Sequence, residues 1–124
     1  MTAPFRVLVV EDDVWLAEQH SRTLQAAGYE TTIAHDALSA MDQIDTVRPD
    51  ALLLDVMLSG PNAFALLHEL RSHGDLATIP VVLCTNSAAD IIDEDVQVYG
   101  IVRVLDKTIM RPDDVVAAVK KALL

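Results

Sequence analysis

Aromatic residues are scarce in this chain. Phe5, Trp15, Tyr29, Phe64 and Tyr99 make up 4% of its 124 residues, so any core must be aliphatic. Cys84 is the sole cysteine, which excludes an intramolecular disulfide and a cysteine-based metal site and fits a reducing compartment such as the cytoplasm. Basic residues are few: 9 Lys and Arg against 19 Asp and Glu give a net charge of −10. Direct nucleic-acid binding depends on Lys and Arg neutralising phosphates, so that class is set aside. A solvated surface that meets a basic partner fits this balance better. No apolar run approaches the ~20 residues of a membrane span. The opening Met1-Thr2-Ala3-Pro4-Phe5-Arg6 leads straight into a strand pattern and leaves no room for a signal peptide. Internal repeats and low-complexity linkers are also missing. The expectation is one soluble domain over residues 1–124, with no output domain attached.

What the chain does have is two apolar runs that stop abruptly in carboxylates. Val7-Leu8-Val9-Val10 gives way to Glu11-Asp12-Asp13, and Ala51-Leu52-Leu53-Leu54 stops at Asp55. Short Val- and Leu-rich runs read as buried strands of a parallel sheet. In an open α/β sheet, ligands bind just beyond the carboxyl ends of the strands. Carboxylates converging there repel one another, and a cation is the natural remedy. Hard, all-oxygen surroundings favour Mg²⁺, which completes its shell with water and phosphate oxygens.

Strand and helix patterns alternate throughout. Strands are expected at Arg6–Val10, Glu30–Ala34, Ala51–Leu54, Val81–Cys84 and Ile101–Leu105. Helices are expected at Val14–Ala27, with Leu16, His20, Leu24 and Ala27 on one face, and at Ala37–Val47, with Leu38, Met41, Ile44 and Val47 as its stripe. A loop through Ser59-Gly60-Pro61 leads to a third helix at Asn62–His73, with Asn62 as N-cap. A polar fourth helix spans Ala88–Tyr99, and the last runs over Pro112–Leu124 with proline in its first turn. Alternation of this kind implies a parallel sheet with helices on both faces and right-handed crossovers.

Thr85 follows the fourth strand and Lys107 lies two positions beyond the fifth, so acids, Thr and Lys share one edge of the sheet. Here the sequence resembles, over its whole length, the receiver domain of two-component response regulators. The segments that carry the resemblance are Val7 to Asp13, Ala26-Ala27-Gly28-Tyr29, Pro49 to Asp55, Met57-Leu58-Ser59-Gly60 and Leu105-Asp106-Lys107, with Asp55, Thr85 and Lys107 at the family's spacing. The resemblance implies a flavodoxin-like (βα)5 three-layer sandwich with strand order 2-1-3-4-5. It also implies a bacterial, cytoplasmic phosphoprotein. Asp55 would take a phosphoryl group from a histidine kinase or histidine phosphotransfer protein, so the domain catalyses its own phosphorylation and dephosphorylation without being a conventional enzyme. Asp12, Asp55 and the Met57 carbonyl would hold Mg²⁺ or Mn²⁺, with Glu11 acting directly or through water. Lys107, Thr85 and the backbone amide of Val56 would contact the phosphoryl group. A downstream protein, and a homodimer through helix 4, strand 5 and helix 5, are the partners it implies; nucleic acid and membrane are not.

The sequence departs from the family at several positions. Val104 replaces an aromatic residue whose ring moves with Thr85, so the usual switch is weakened or rerouted. Thr108 replaces a proline often joined through a cis bond, and a non-proline cis bond costs ~2.5–4 kcal/mol, so a trans bond is expected. Ser59 replaces a common Pro and Ala63 a common Gly. Asn86, beside Thr85 in the phosphate surroundings, is bulkier than the usual Ala or Ser and could restrict access. Two further functions stay open: a phosphate sink without output switching, and a phosphorylation-independent interaction module. A flavin-binding protein of similar topology is disfavoured, because no Ser/Thr/Gly-rich phosphate loop follows strand one.

Other residues carry plainer readings. Asp13 reads as a helix N-terminal acid rather than a metal ligand. His20 reads as a hydrogen-bonded core histidine, Trp15 as a packing residue and Cys84 as buried strand packing. His35, His68 and His73 read as surface residues, and Asp90, Asp93, Glu94 and Asp95 as a solvated helix face.

Overall fold

The apolar runs become parallel strands because each side of them can be covered by a helix. The computed structural model describes residues 3–58, 62–86, 88, 91 and 93–124. In chain order the described elements are β1 (Arg6–Val10), α1 (Val14–Ala26), β2 (Glu30–Ala34), α2 (Ala37–Val47), β3 (Ala51–Asp55), α3 (Ala63–Arg71), β4 (Val81–Thr85), α4 (Asp93–Val98), β5 (Ile101–Asp106) and α5 (Pro112–Ala122). The strands form one parallel sheet in the order β2-β1-β3-β4-β5. Among the described residues no helix is long and apolar enough to cross a membrane.

Alternation along each strand divides the core in two. Val7 and Val9 of β1, Leu53 of β3, and Val82 and Cys84 of β4 pack with Ala17 and Leu24 of α1 and Val115 and Val119 of α5. Leu8, Val10, Leu52, Leu54, Val81 and Leu83 point to the opposite face, against Ile44 of α2 and Leu66 and Leu67 of α3. Burying both faces explains why β1, β3 and β4 read as continuous apolar runs.

Helix starts follow their caps. Asp13 accepts from the Leu16 amide (3.0 Å), Asp36 from the Ser39 amide (2.7 Å) and Asn62 from the Ala65 amide (3.0 Å). At the far end of α2, Arg48 takes a left-handed φ of 56°, because the following Pro49 disfavours the right-handed helical region.

The buried helical faces differ from the expected stripes. In α2 the inward residues are Ala37, Ala40 and Ile44, while Leu38 is 72% exposed. Two alanines let the helix backbone approach the sheet, and the longer side chain is turned outward. In α1 the buried residues are Ala17, His20, Ser21 and Leu24; Ala27 is exposed because the helix ends at Ala26. Helix α4 covers Asp93–Val98; of the described residues in the expected Ala88–Tyr99 span, Ala88, Ile91 and Tyr99 lie outside it. Positions 59–61, the loop Ser59-Gly60-Pro61, and Asp90 lie outside the described residues. Strands β3, β4 and β5 each run one residue further than expected, so Asp55, Thr85 and Asp106 belong to the sheet itself.

Candidate phosphoryl and metal site

Sheet register assembles the site. Val10 lies opposite Leu54, so the chain leaving β1 places Glu11 and Asp12 beside Asp55 at the tip of β3. Neighbouring strands lie about 4.8 Å apart. One ligand oxygen from each of Glu11, Asp12 and Asp55 lies within 4.8 Å of the others. Glu11 and Asp55 are 3% and 4% exposed, whereas Asp12 is solvent-exposed at the mouth of the cluster. Asp13 is turned away as the cap of α1.

Lys107 answers these acids from the position just after β5. Its Nζ lies 3.1 Å from Glu11 Oε2 and 3.3 Å from Asp55 Oδ2. Its amide donates to the Thr85 carbonyl (2.8 Å), which ties the lysine main chain to the end of β4. The following Lys107–Thr108 bond is trans, as the missing proline implied. The turn is held instead by Asp106 Oδ1, which accepts from the Thr108 amide (2.9 Å) and hydroxyl (2.6 Å).

The electrostatics of the cluster are unbalanced. Burial first, and then the charge of Asp55, push the Glu11 carboxyl from 4.5 up to about 7, in spite of Lys107. Burial alone would lower the Lys107 ammonium, but Glu11 and Asp55 together hold it above its ordinary value. One ammonium does not neutralise three carboxylates. The donor set is hard and all-oxygen, with no sulfur or imidazole among the clustered ligand atoms, so it fits Mg²⁺ or Mn²⁺.

Backbone amides refine the expected set. The Val56 amide, expected to face a phosphoryl group, donates to the Cys84 carbonyl (3.0 Å) and extends the β3–β4 pairing. The Met57 amide is the one directed at the nucleophile candidate, donating to Asp55 Oδ1 (3.3 Å). Strand pairing that runs one residue past the acid accounts for the difference. Thr85 is buried at the end of β4, and Asn86, next to it, is exposed.

Neighbouring residues also differ from their sequence reading. His20 is buried, but its Nε2 has no hydrogen-bond partner among the described residues, and burial lowers its pKa. Trp15 is 69% exposed rather than packed inside. It lines a cavity of about 230 Å³ between α1 and α5 together with His20, Lys107 and Met110. Cys84 is buried as expected, and burial pushes its thiol up to about 12. Val104 is half-buried against the α2–α3 side of the core. His35 is a surface residue as expected, but its Nδ1 lies 2.9 Å from the Glu11 carbonyl oxygen. No sequence signal distinguishes it, because the contact spans two strands.

Comparison with known proteins identifies the family. Residues 7–120 match the family model of the response regulator receiver domain. The response regulator MprA of Mycobacterium avium is 41% identical over 91 residues, which is 73% of this chain and 38% of that protein. The chain therefore spans about two fifths of the length of the curated relatives it matches. The Francisella response regulator 1452 receiver domain superposes with a TM-score of 0.81 at 26% identity, covering 95% of each chain. The chemotaxis response regulator CheY4 of Vibrio cholerae, at 23% identity, shares the fold with a TM-score of 0.88 over 97% of this chain and 99% of its own. With its fold, its strand order and a family match across nearly the whole chain, the protein belongs to the response regulator receiver domains of two-component systems.

Proposed function

We propose that the domain accepts a phosphoryl group on Asp55 from the phosphohistidine of a histidine kinase or histidine phosphotransfer protein. The observation that carries this reading is the Asp55 carboxylate, buried at the tip of β3, facing Lys107 Nζ at 3.3 Å and clustered with Glu11 and Asp12. An Asp55 oxygen attacks phosphorus, the new O–P bond forms as the donor's N–P bond breaks, and the electron pair stays on the leaving imidazole. Little covalent work falls to the protein, so positioning and charge dominate. Lys107 releases Glu11 and binds a phosphoryl oxygen, the Met57 amide and the Thr85 hydroxyl donate to others, and Asn86 borders the entrance. Glu11, Asp12, Asp55 and the Met57 carbonyl hold Mg²⁺ or Mn²⁺. The bound ion supplies the positive charge that offsets the carboxylates and the phosphoryl oxygens. Attack of water on phosphorus, with Asp55 leaving, returns the free carboxylate.

Output then passes through protein contacts, with the α4–β5–α5 face as the homodimer surface. Incubation with acetyl phosphate and Mg²⁺ adds one phosphoryl group to the intact mass, and Asp55→Asn does not gain it. An unmodified wild type, or an equally modified Asp55→Asn, refutes the reading.

Val104 supports a second reading, a phosphate sink. A half-buried valine has no ring to carry a displacement of Thr85 into the α4–β5 surface. Amide shifts on adding beryllofluoride distinguish the two. Shifts confined to the acid cluster mean a sink, and shifts across α4 and α5 mean a switch.

A further inference from the structure

The Glu11 main chain is held on both sides by the end of β2. Its amide donates to the Ala34 carbonyl (3.0 Å), and its own carbonyl oxygen lies 2.9 Å from His35 Nδ1. A carbonyl can only accept, so Nδ1 carries the proton in this contact. That carbonyl belongs to the peptide plane joining Glu11 to Asp12. Because the plane is rigid, fixing its oxygen fixes how the chain departs toward Asp12. His35 is itself placed by anchored neighbours: Ala34 closes β2, and Asp36 caps α2 through the Ser39 amide.

We propose that His35 is a positioning residue for the metal site, holding the Glu11–Asp12 peptide so that both carboxylates face Asp55 against their mutual repulsion. The inference rests on the metal-binding reading above. The Glu11 side chain is already held by Lys107 Nζ (3.1 Å) and the Asp13 amide (3.3 Å), so His35 adds what those contacts do not, the orientation of the link to exposed Asp12.

Asparagine and glutamine separate this role from general packing. The Asn amide nitrogen falls near the place of Nδ1, whereas the Gln amide reaches the place of Nε2. Mg²⁺ is titrated against Trp15 fluorescence and Mn²⁺ against its electron paramagnetic resonance signal, using full-length wild type, His35→Asn, His35→Gln and His35→Ala. Losing an outer partner of a metal ligand typically weakens binding by 10–100-fold. Ala and Gln should lose about tenfold, at the low end because His35 bonds main chain, while Asn stays close to wild type. Metal-free melting midpoints should change little, since the His35 ring is exposed and only one main-chain contact is lost. Four equal affinities, with wild type binding metal, overturn the inference and leave the metal site standing. Equal loss of metal affinity in Asn, Gln and Ala also overturns it. A wild type that binds neither ion removes both readings.

Discussion

Replacing Glu11 by glutamine should stabilise the metal-free protein at neutral pH and leave it unchanged in acid. Glu11 ionises at about 4.5 in the unfolded chain, and at about 7 in the folded one, because it is buried and faces Asp55. Below 4.5 both states hold the proton, so the carboxyl contributes no pH dependence. Between 4.5 and about 7 the unfolded chain has released its proton and the folded one has not, so each rising pH unit favours unfolding by ~1.4 kcal/mol. Above about 7 both states are ionised and the penalty levels off at about 3 kcal/mol. Glutamine mimics the protonated acid at every pH. The stability difference between Glu11→Gln and wild type should therefore be small at the acid end and rise to about 3 kcal/mol above neutrality. Urea unfolding in EDTA, followed by far-ultraviolet circular dichroism across this range, measures that difference directly and cancels the titration of acids remote from Glu11. With Mg²⁺ present, wild type should gain stability at neutral pH and the variant less. A difference that does not change with pH refutes the unbalanced-cluster reasoning.

Other consequences of the geometry can be checked with simple variants. Lys107→Met leaves Glu11 and Asp55 facing each other without the ammonium that lies 3.1 and 3.3 Å away. Phosphorylation by acetyl phosphate should slow by about 10²–10³-fold, as when one charge-stabilising donor is lost; an unchanged rate would show that Lys107 is dispensable. Leu53→Ala removes a buried side chain from the α1–α5 side of the core and should cost about 2–5 kcal/mol in urea unfolding. Cys84, buried with its thiol pushed up to about 12, should react with a thiol reagent in urea but not in the native protein at neutral pH. Asp106→Ala removes the acceptor of both Thr108 bonds and should loosen the β5–α5 turn, read as faster amide exchange at Thr108.

The sequence reveals most where one short pattern decides the structure. Runs such as Val7 to Val10 and Leu52 to Leu54 define buried parallel strands, and the polar residue that ends each run marks the chemical edge. Glu11, Asp12 and Asp55 stand out for that reason, and Lys107, two positions past its run, by its spacing from Asp55. Contacts decided between strands were not. Whether the Val56 or the Met57 amide faces Asp55 depends on whether β3 keeps pairing with β4 for one more residue, which composition does not encode. His35 reaches Glu11 only because β2 lies beside β1. In α2 the apolar stripe through Leu38 and the small stripe through Ala37 and Ala40 share Ile44, and close helix–sheet approach chose the alanines. His20 looked like a satisfied core residue, but a buried position does not guarantee a partner for Nε2.

These same contacts bear on how a signal could leave the site. Register pairs Leu83 with Val104 and Thr85 with Asp106, so the end of β4 is locked to β5 one residue before Lys107. The Lys107 amide donates to the Thr85 carbonyl at 2.8 Å, and Asp106 then holds Thr108 through both its amide and its hydroxyl. A displacement of Thr85 thus meets a main-chain linkage that runs through Lys107 into the turn preceding α5. Val104, with a single side-chain torsion and a stiff β-branched rotamer, adds no ring flip in parallel. If the domain switches, its largest amide shifts should therefore follow Thr85, Lys107 and Thr108 toward Pro112, with Val104 and its α4 neighbours moving less. Shifts centred on Val104 and α4, with the β5–α5 turn still, would refute this route.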